Sequence, residues 1–280
     1  IKIYNIQRGG GLAGIIGLVD ASAPFVGSFG AGGPFTMPGF MISKADADLI
    51  RNGTYKSLRL DPANTENLGG TIASFSSRGP GQFPFTFTDG DTSTVFIKPE
   101  ISAPGVITAA DSGSGAGVVT MQGTSMASPM VAGSAALIKA GRPDLSGREV
   151  KALLVNYADP HVLSNAPVFG GTIVPVTRQG GGEVRVDKAL DGPVAAWETQ
   201  TRAPSVSFGF EEAASPNDFM LEIRNITLKN YTGTDITYKV TPTFLNADDA
   251  ATLAVAFEFP DCNEHCEIVV PAYSTIQIPE

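Results

Sequence analysis

The sequence predicts an α/β fold that gives way to a β-rich segment, and three stretches carry that expectation. The apolar run Val118-Val119-Thr120-Met121 leads through Gly123 into a small-residue stretch ending Ser134-Ala135-Ala136-Leu137-Ile138, the pattern of a buried strand feeding a helix. Further on, Ser146 and Glu149 form a capping box, and Val150, Leu153, Leu154 and Tyr157 then share one helical face, leaving Arg148, Glu149 and Lys151 toward solvent. From about Arg202 the texture changes to short runs spaced by polar turns, at 206–210, 219–223, 236–240, 253–257 and 267–270, which read as a β-sandwich.

Composition sets the outer bounds. The 280 residues allow one large or two to three small domains. A hydrophobic content of 42% is enough for a real core, and 32 Gly with 20 Pro imply many turns and short elements. The net charge of −9 argues against nucleic acid or an anionic membrane surface as partner. No apolar run approaches the roughly 18 residues of a transmembrane helix. The chain begins with Ile1 rather than Met and reads as an internal piece of something longer, so the lack of a signal peptide does not argue for the cytoplasm.

Taken in order, residues 1–6 (Ile-Lys-Ile-Tyr-Asn-Ile) alternate and predict a strand. Gly9 to Gly14 then match G-x-G-x-x-G in form, but Ile15-Ile16-Gly17-Leu18-Val19 predicts a second strand where a dinucleotide site needs a long helix, so no cofactor is expected. A Gly/Pro/Phe-rich loop runs from Phe29 to Phe35. Residues 36–42 form another strand, and Ser43 with Asp46 caps a short helix that Asn52-Gly53 ends. Residues 61–70 are a polar connection. Thr71 to Ser77 predict an edge strand closed by the Gly79-Pro80 turn, and 81–94 a loop whose Asp89 and Asp91 suit solvation better than calcium. Two prolines hold Lys98-Pro99-Glu100-Ile101-Ser102-Ala103-Pro104-Gly105 in an extended path, placed beside the strand at 118–121.

The join at Gly123-Thr124-Ser125 is the candidate reactive position. Ser125 falls at the start of a helix, where unpaired N–H groups and the positive end of the helix dipole gather. A hydroxyl there suits a nucleophile whose reaction builds an oxyanion, with the Ser125 N–H as one donor. A Ser or Thr at a strand–helix junction is also a common cap. The two cysteines, Cys262 and Cys266, flank His265; three ligands in five residues are too few for zinc, and a local disulfide suits the spacing better.

The full string Gly-Thr-Ser-Met-Ala-Ser-Pro with Val-Ala-Gly, over 123–133, resembles the nucleophile segment of the subtilisin-like serine peptidases, with Met130 where that family usually has a non-catalytic His. Ser74-Phe75-Ser76-Ser77-Arg78-Gly79-Pro80 and the 98–105 segment resemble two further signatures of the family, in the family's order. The Gly-rich turn and short helix at 180–190 resemble the close of its catalytic domain. The resemblance implies that Ser125 is the nucleophile and that its backbone N–H contributes to the oxyanion hole. It implies that Ser74, Phe75, Ser76, Gly123 and Thr124 lie by the substrate cleft, and that a protein or peptide is the substrate, without metal or cofactor. It also implies an α/β fold of a particular kind, the C-terminal part of a three-layer parallel-sheet domain. Residues 1–60 resemble part of a protease-associated domain, 61–200 the C-terminal half of the catalytic domain, and 201–280 a fibronectin-III-like β-sandwich. Family and cysteine pair together imply a secreted protein.

A serine nucleophile needs a base and an orienting carboxylate. The only histidines are His161 and His265, both after Ser125, whereas the resemblance implies Asp and His before it. The expectation is that the missing N-terminal half of the catalytic domain supplies them, that this chain alone is inactive, and that an uncovered sheet edge limits its solubility. An esterase-like use of Asp159 and His161 is disfavoured, because the two lie in one loop. The alternative function is a non-catalytic pseudo-protease or protein-binding fragment.

Overall fold

A computed structural model of the chain describes residues 2–20, 38–59, 69–86, 92–167, 170–209, 222–245 and 267–279. The chain divides into two compact units. The first comprises Ile1–Gly69, Ile107–Gln122 and Asn165–Gly170; the second comprises Gly70–Val106, Gly123–Ser164 and Gly171–Glu280.

The first unit opens with a helix, α1 (Lys2–Arg8), and not with the expected strand. Ile3 is its buried residue. The reason lies just downstream. Gly10 adopts φ +84°, Gly10 N donates to Gln7 O at 3.0 Å and Gly11 N to Ile6 O at 2.9 Å. These bonds form a Schellman cap, so the glycines at 9–11 stop a helix instead of cradling a phosphate. β1 (Gly14–Gly17) follows and pairs in parallel with β2 (Gly39–Ile42). α2 (Lys44–Arg51) then starts at Ser43, whose hydroxyl accepts from Asp46 N, as its capping signal predicts. A Cβ at Gly17 would sit 2.3 Å from that of Ala47, so only glycine lets α2 lie this close to β1. The expected loop at 29–35 lies outside the described residues.

The same unit holds the body of a hairpin made by β5 (Val106–Ala110) and β6 (Val118–Gln122). Thr108 and Thr120 hydroxyls meet across it at 2.7 Å. β6 is the strand expected before Ser125, but it is not buried: Val118 is 71% exposed and Met121 44%.

In the second unit, residues 71–80 form no regular strand. Thr71 makes a single parallel bridge to Leu163, and a turn follows at 74–75. The expected loop at 81–94 instead carries β3 (Gly81–Thr86) and β4 (Thr92–Phe96), an antiparallel pair with an irregularity between Gln82 and Phe85. Asp89 and Asp91 lie outside the described residues. α3 (Thr124–Gly141) and α4 (Gly147–Asn156) follow, then the short α5 (Val176–Gln179) and α6 (Val186–Asp191).

Ile138, Leu145, Val150, Ala152, Leu153, Leu154, Ala189 and Ala195 make the core of this unit, with Tyr157 and Trp197 packed against it. The helical face predicted for α4 is therefore the buried one. Glu149 departs from its expected place. It is only 9% exposed, because its carboxylate both closes the capping box with Ser146 and meets Lys229 Nζ at 2.5 Å and Tyr231 OH at 3.1 Å. Pairing and hydrogen bonding remove the usual penalty of burying a carboxylate.

β7 (Val194–Glu198) is an edge strand of a three-stranded sheet in this unit, at a position that periodicity did not mark. It pairs antiparallel with β8 (Asn225–Asn230), which pairs with β11 (Thr275–Pro279). One sheet thus contains strands from both sides of position 200. β9 (Ile236–Lys239) and β10 (Glu267–Val270) form a separate antiparallel pair at two of the predicted strand positions. Residues 206–209 and 222–223 are irregular, and 210, 219–221, 253–257 and the Cys262–Cys266 pair lie outside the described residues. The expected three-layer parallel sheet does not assemble among the described residues, where β1–β2 is the one parallel ladder; the mixture of helices and strands is compatible with an α/β fold.

Candidate active site

Gly123 sets the geometry of the candidate site. It stands at φ 149°, ψ 160°, a region essentially reserved for glycine, immediately before the first residue of α3. Its N–H donates to Gly105 O at 2.8 Å, and its carbonyl accepts Met126 N at 3.0 Å. The extended 98–105 segment thereby pins the start of the helix. Gly123 offers no capping side chain, so the N–H groups of Thr124 and Ser125 point out of the helix without an intrahelical acceptor.

Ser125 is exposed, and its hydroxyl has no hydrogen-bond partner among the described residues. Thr124 beside it is exposed as well. Pro129 sits within α3, yet the helix continues unbroken to Gly141. Ile138 is the one fully enclosed side chain of α3 among the described residues, while Met130 and Leu137 stay exposed.

Phe75 is brought to the same place. Its ring edge would lie 3.7 Å from a Cβ at Gly105, and Gly123 O only 3.4 Å from it. Ser74 and Ser76 flank Phe75 in a turn closed by Ser76 N donating to Ala73 O at 3.0 Å. Of the expected cleft residues, Phe75 and Gly123 meet at Gly105, Thr124 follows as the first residue of α3, and no hydrogen bond joins Ser74 or Ser76 to Ser125 among the described residues. Gly105 itself escaped the sequence reading as a site residue, although a glycine following Ala103-Pro104 marks a close backbone approach.

Among the described residues no base hydrogen-bonds to Ser125. His161 Nδ1 bonds Asp159 Oδ1 at 2.7 Å within their own loop, and the ring is largely exposed. The His161 ring, then its backbone N–H, hold the Asp159 carboxyl below the usual carboxylate range. Asp159 is anchored elsewhere: its N–H donates to Glu183 O, and Glu183 N returns the bond to Asp159 O, both at 2.8 Å. His265 lies outside the described residues. Among the described residues no three His, Cys, Asp or Glu side chains gather as a metal site.

Behind the site, three consecutive glycines let backbones cross at close range. A Cβ at Gly180 would fall 2.2 Å from Glu100 C, at Gly181 2.6 Å from Val155 O, and at Gly182 2.0 Å from Asp159 O. These approaches hold the 98–102 segment through bonds from Gly181 N to Glu100 O and from Ser102 N to Gly182 O. Such an arrangement supplies an outward hydroxyl at a helix N-terminus with a free N–H on the same residue. It can stabilise negative charge on an oxygen placed over it, and it needs an external base to activate the hydroxyl.

Comparison with known families bears on the whole segment. The profile of the subtilase family matches residues 26–190, more than half of the chain. The chain belongs to the subtilase family. Subtilase relatives include the minor extracellular protease Vpr of Bacillus subtilis (strain 168), 38% identical over 128 residues, which are 44% of this chain and 14% of that protein. In Arabidopsis thaliana, subtilisin-like protease SBT3.4 is 35% identical over 146 residues, 48% of this chain and 18% of the relative. SBT3.16 is 40% identical over 91 residues, 32% and 11% respectively. The chain thus spans less than a fifth of the length of these relatives. No described helix is long and apolar enough to cross a membrane.

Proposed function

We propose that this chain carries the nucleophile of a subtilisin-like serine peptidase. Ser125 attacks the scissile carbonyl of a protein or peptide substrate, and its own N–H donates a hydrogen bond to the oxyanion that forms. The observation that supports this most is the pairing of an unbonded Ser125 hydroxyl with a free N–H, on a helix start that only a glycine at position 123 permits. Phe75, Ser74, Ser76, Gly123 and Thr124 border the substrate. Membership of the subtilase family supports a peptidase as the protein class.

The base and its carboxylate come from polypeptide outside this sequence, corresponding to the N-terminal half of the catalytic domain. Both histidines of the chain follow Ser125, and His161 is engaged by Asp159. Residues 1–60 act as part of a protease-associated domain and 201–280 as a fibronectin-III-like module, and the protein works outside the cell.

The test is active-site labelling. The 280-residue chain alone is expected to hydrolyse no peptide and to remain unlabelled by a fluorophosphonate. Co-expression with a polypeptide carrying the subtilase Asp and His segments is expected to yield labelling that Ser125→Ala abolishes. Stoichiometric labelling of Ser125 in the lone chain would refute the external base. Persistent silence of a demonstrably assembled complex would favour a pseudo-protease.

A further inference from the structure

We propose that Arg78 and Arg178 form a binding site for a carboxylate, separate from the serine chemistry. The two arginines are brought side by side by the backbone. Gly79 N donates to Thr177 O at 2.8 Å, so the residues flanking that bond are neighbours. The approach is tight: a Cβ at Gly79 would fall 1.7 Å from Lys98 O, so the 78–79 backbone has nowhere else to run.

Arg178 is part-buried, and its Nε is fully enclosed with no hydrogen-bond acceptor. Buried donors in folded proteins almost always find a partner, so an enclosed, unbonded guanidinium nitrogen marks a group whose partner comes from elsewhere. Neither guanidinium makes an ion pair or hydrogen bond with the described residues. Burial, and then the charge on Arg78, push the Arg178 pKa below the usual arginine value. Arginine does not shed its proton in proteins, so this site cannot relieve the repulsion by titrating. An anion bound between the two arginines would relieve it. The planar fork of a guanidinium matches the two oxygens of a carboxylate.

The carboxylate can be a free ion or an acidic side chain of a peptide, and the test separates them. The Nε–H resonance of Arg178 and the Tm of the full 280-residue chain are followed while chloride is replaced at constant ionic strength. One series uses acetate, the other a terminally blocked tripeptide with a central Asp. Both measurements are expected to respond to at least one probe. A response to both assigns a site open to free carboxylates; a response to the tripeptide alone assigns one built for peptide side chains. Arg78→Gln and Arg178→Met are expected to lose the response, and Arg148→Gln, an exposed arginine on α4, to keep it. Arg78 is exposed, so its variant stays readable if Arg178→Met fails to fold. Wild-type indifference to both probes, or an undiminished response in Arg78→Gln, would overturn the assignment.

Discussion

Replacing Glu149 by Gln removes one charge from the polar junction between α4 and β8. The carboxylate closes the capping box of α4, accepting from Ser146 N at 2.8 Å and from the Ser146 hydroxyl at 2.6 Å. It also reaches β8 through Lys229 Nζ at 2.5 Å and the Tyr231 hydroxyl at 3.1 Å. Burial by itself would raise the Glu149 pKa. Lys229, the Ser146 hydroxyl and N–H, and Tyr231 together outweigh it and lower the value from 4.5 to about 2. At 1.36 kcal/mol per unit, that difference corresponds to about 3 kcal/mol of stability at neutral pH. Gln retains the N3 capping geometry and Lys229 can turn to solvent, so the expected loss for Glu149→Gln is about 2 kcal/mol.

The pH dependence has a fixed sign. The folded-state pKa is depressed, so the stabilisation is fully present above the unfolded value near 4.5 and is lost as pH falls toward 2. Urea unfolding of both proteins from pH 7 to pH 3 should therefore show a gap that is constant down to about pH 5 and narrows below it. A gap that stays the same width to pH 3, or one under about 0.5 kcal/mol at pH 7, would refute the charge-based account.

Two further stability predictions follow from the same unit and from the hairpin. Tyr231→Phe removes the hydroxyl that donates to Glu149 but leaves the ring under the Arg142 guanidinium, 4.4 Å from its centroid, so it should lower stability by about 1 kcal/mol in the same assay. An equal loss in the Glu149→Gln background would disprove the coupling. Gly182→Ala and Gly113→Ala both place an alanine at positive φ, 121° and 80°, but only the first drives a Cβ to 2.0 Å from Asp159 O. Gly113→Ala should cost about 1 kcal/mol of backbone strain and Gly182→Ala more than about 3 kcal/mol, read from thermal unfolding; similar losses would mean that close approach does not constrain the glycine turn.

Much of the local structure is legible in residue order because it is set by neighbours in the chain. Ser43 and Ser146 announce two helix starts, since a hydroxyl can reach the N–H three residues on. The buried face of α4 follows from the spacing of Val150, Leu153 and Leu154. The strand–glycine–serine–helix junction at 118–141 is likewise written in the order of its residues. Where two local readings compete, periodicity misleads. The residues 2–8 fit alternation as well as a helix, and the glycines at 9–11 decide by capping it.

The sequence by itself thus determined the helix starts, the Gly123-Thr124-Ser125 junction and the family, because each is carried by residues adjacent in the chain. Only the tertiary structure decided the rest. It buried Glu149, which helical spacing had assigned to solvent, because Lys229 and Tyr231, some 80 residues away, supply the bonds that make burial tolerable. It made β7 the partner of β8 across position 200, and it set Phe75, Gly105 and Gly123 together at the head of α3. Such pairings depend on which backbones meet, and chain order does not encode that where the contacts join residues far apart in sequence.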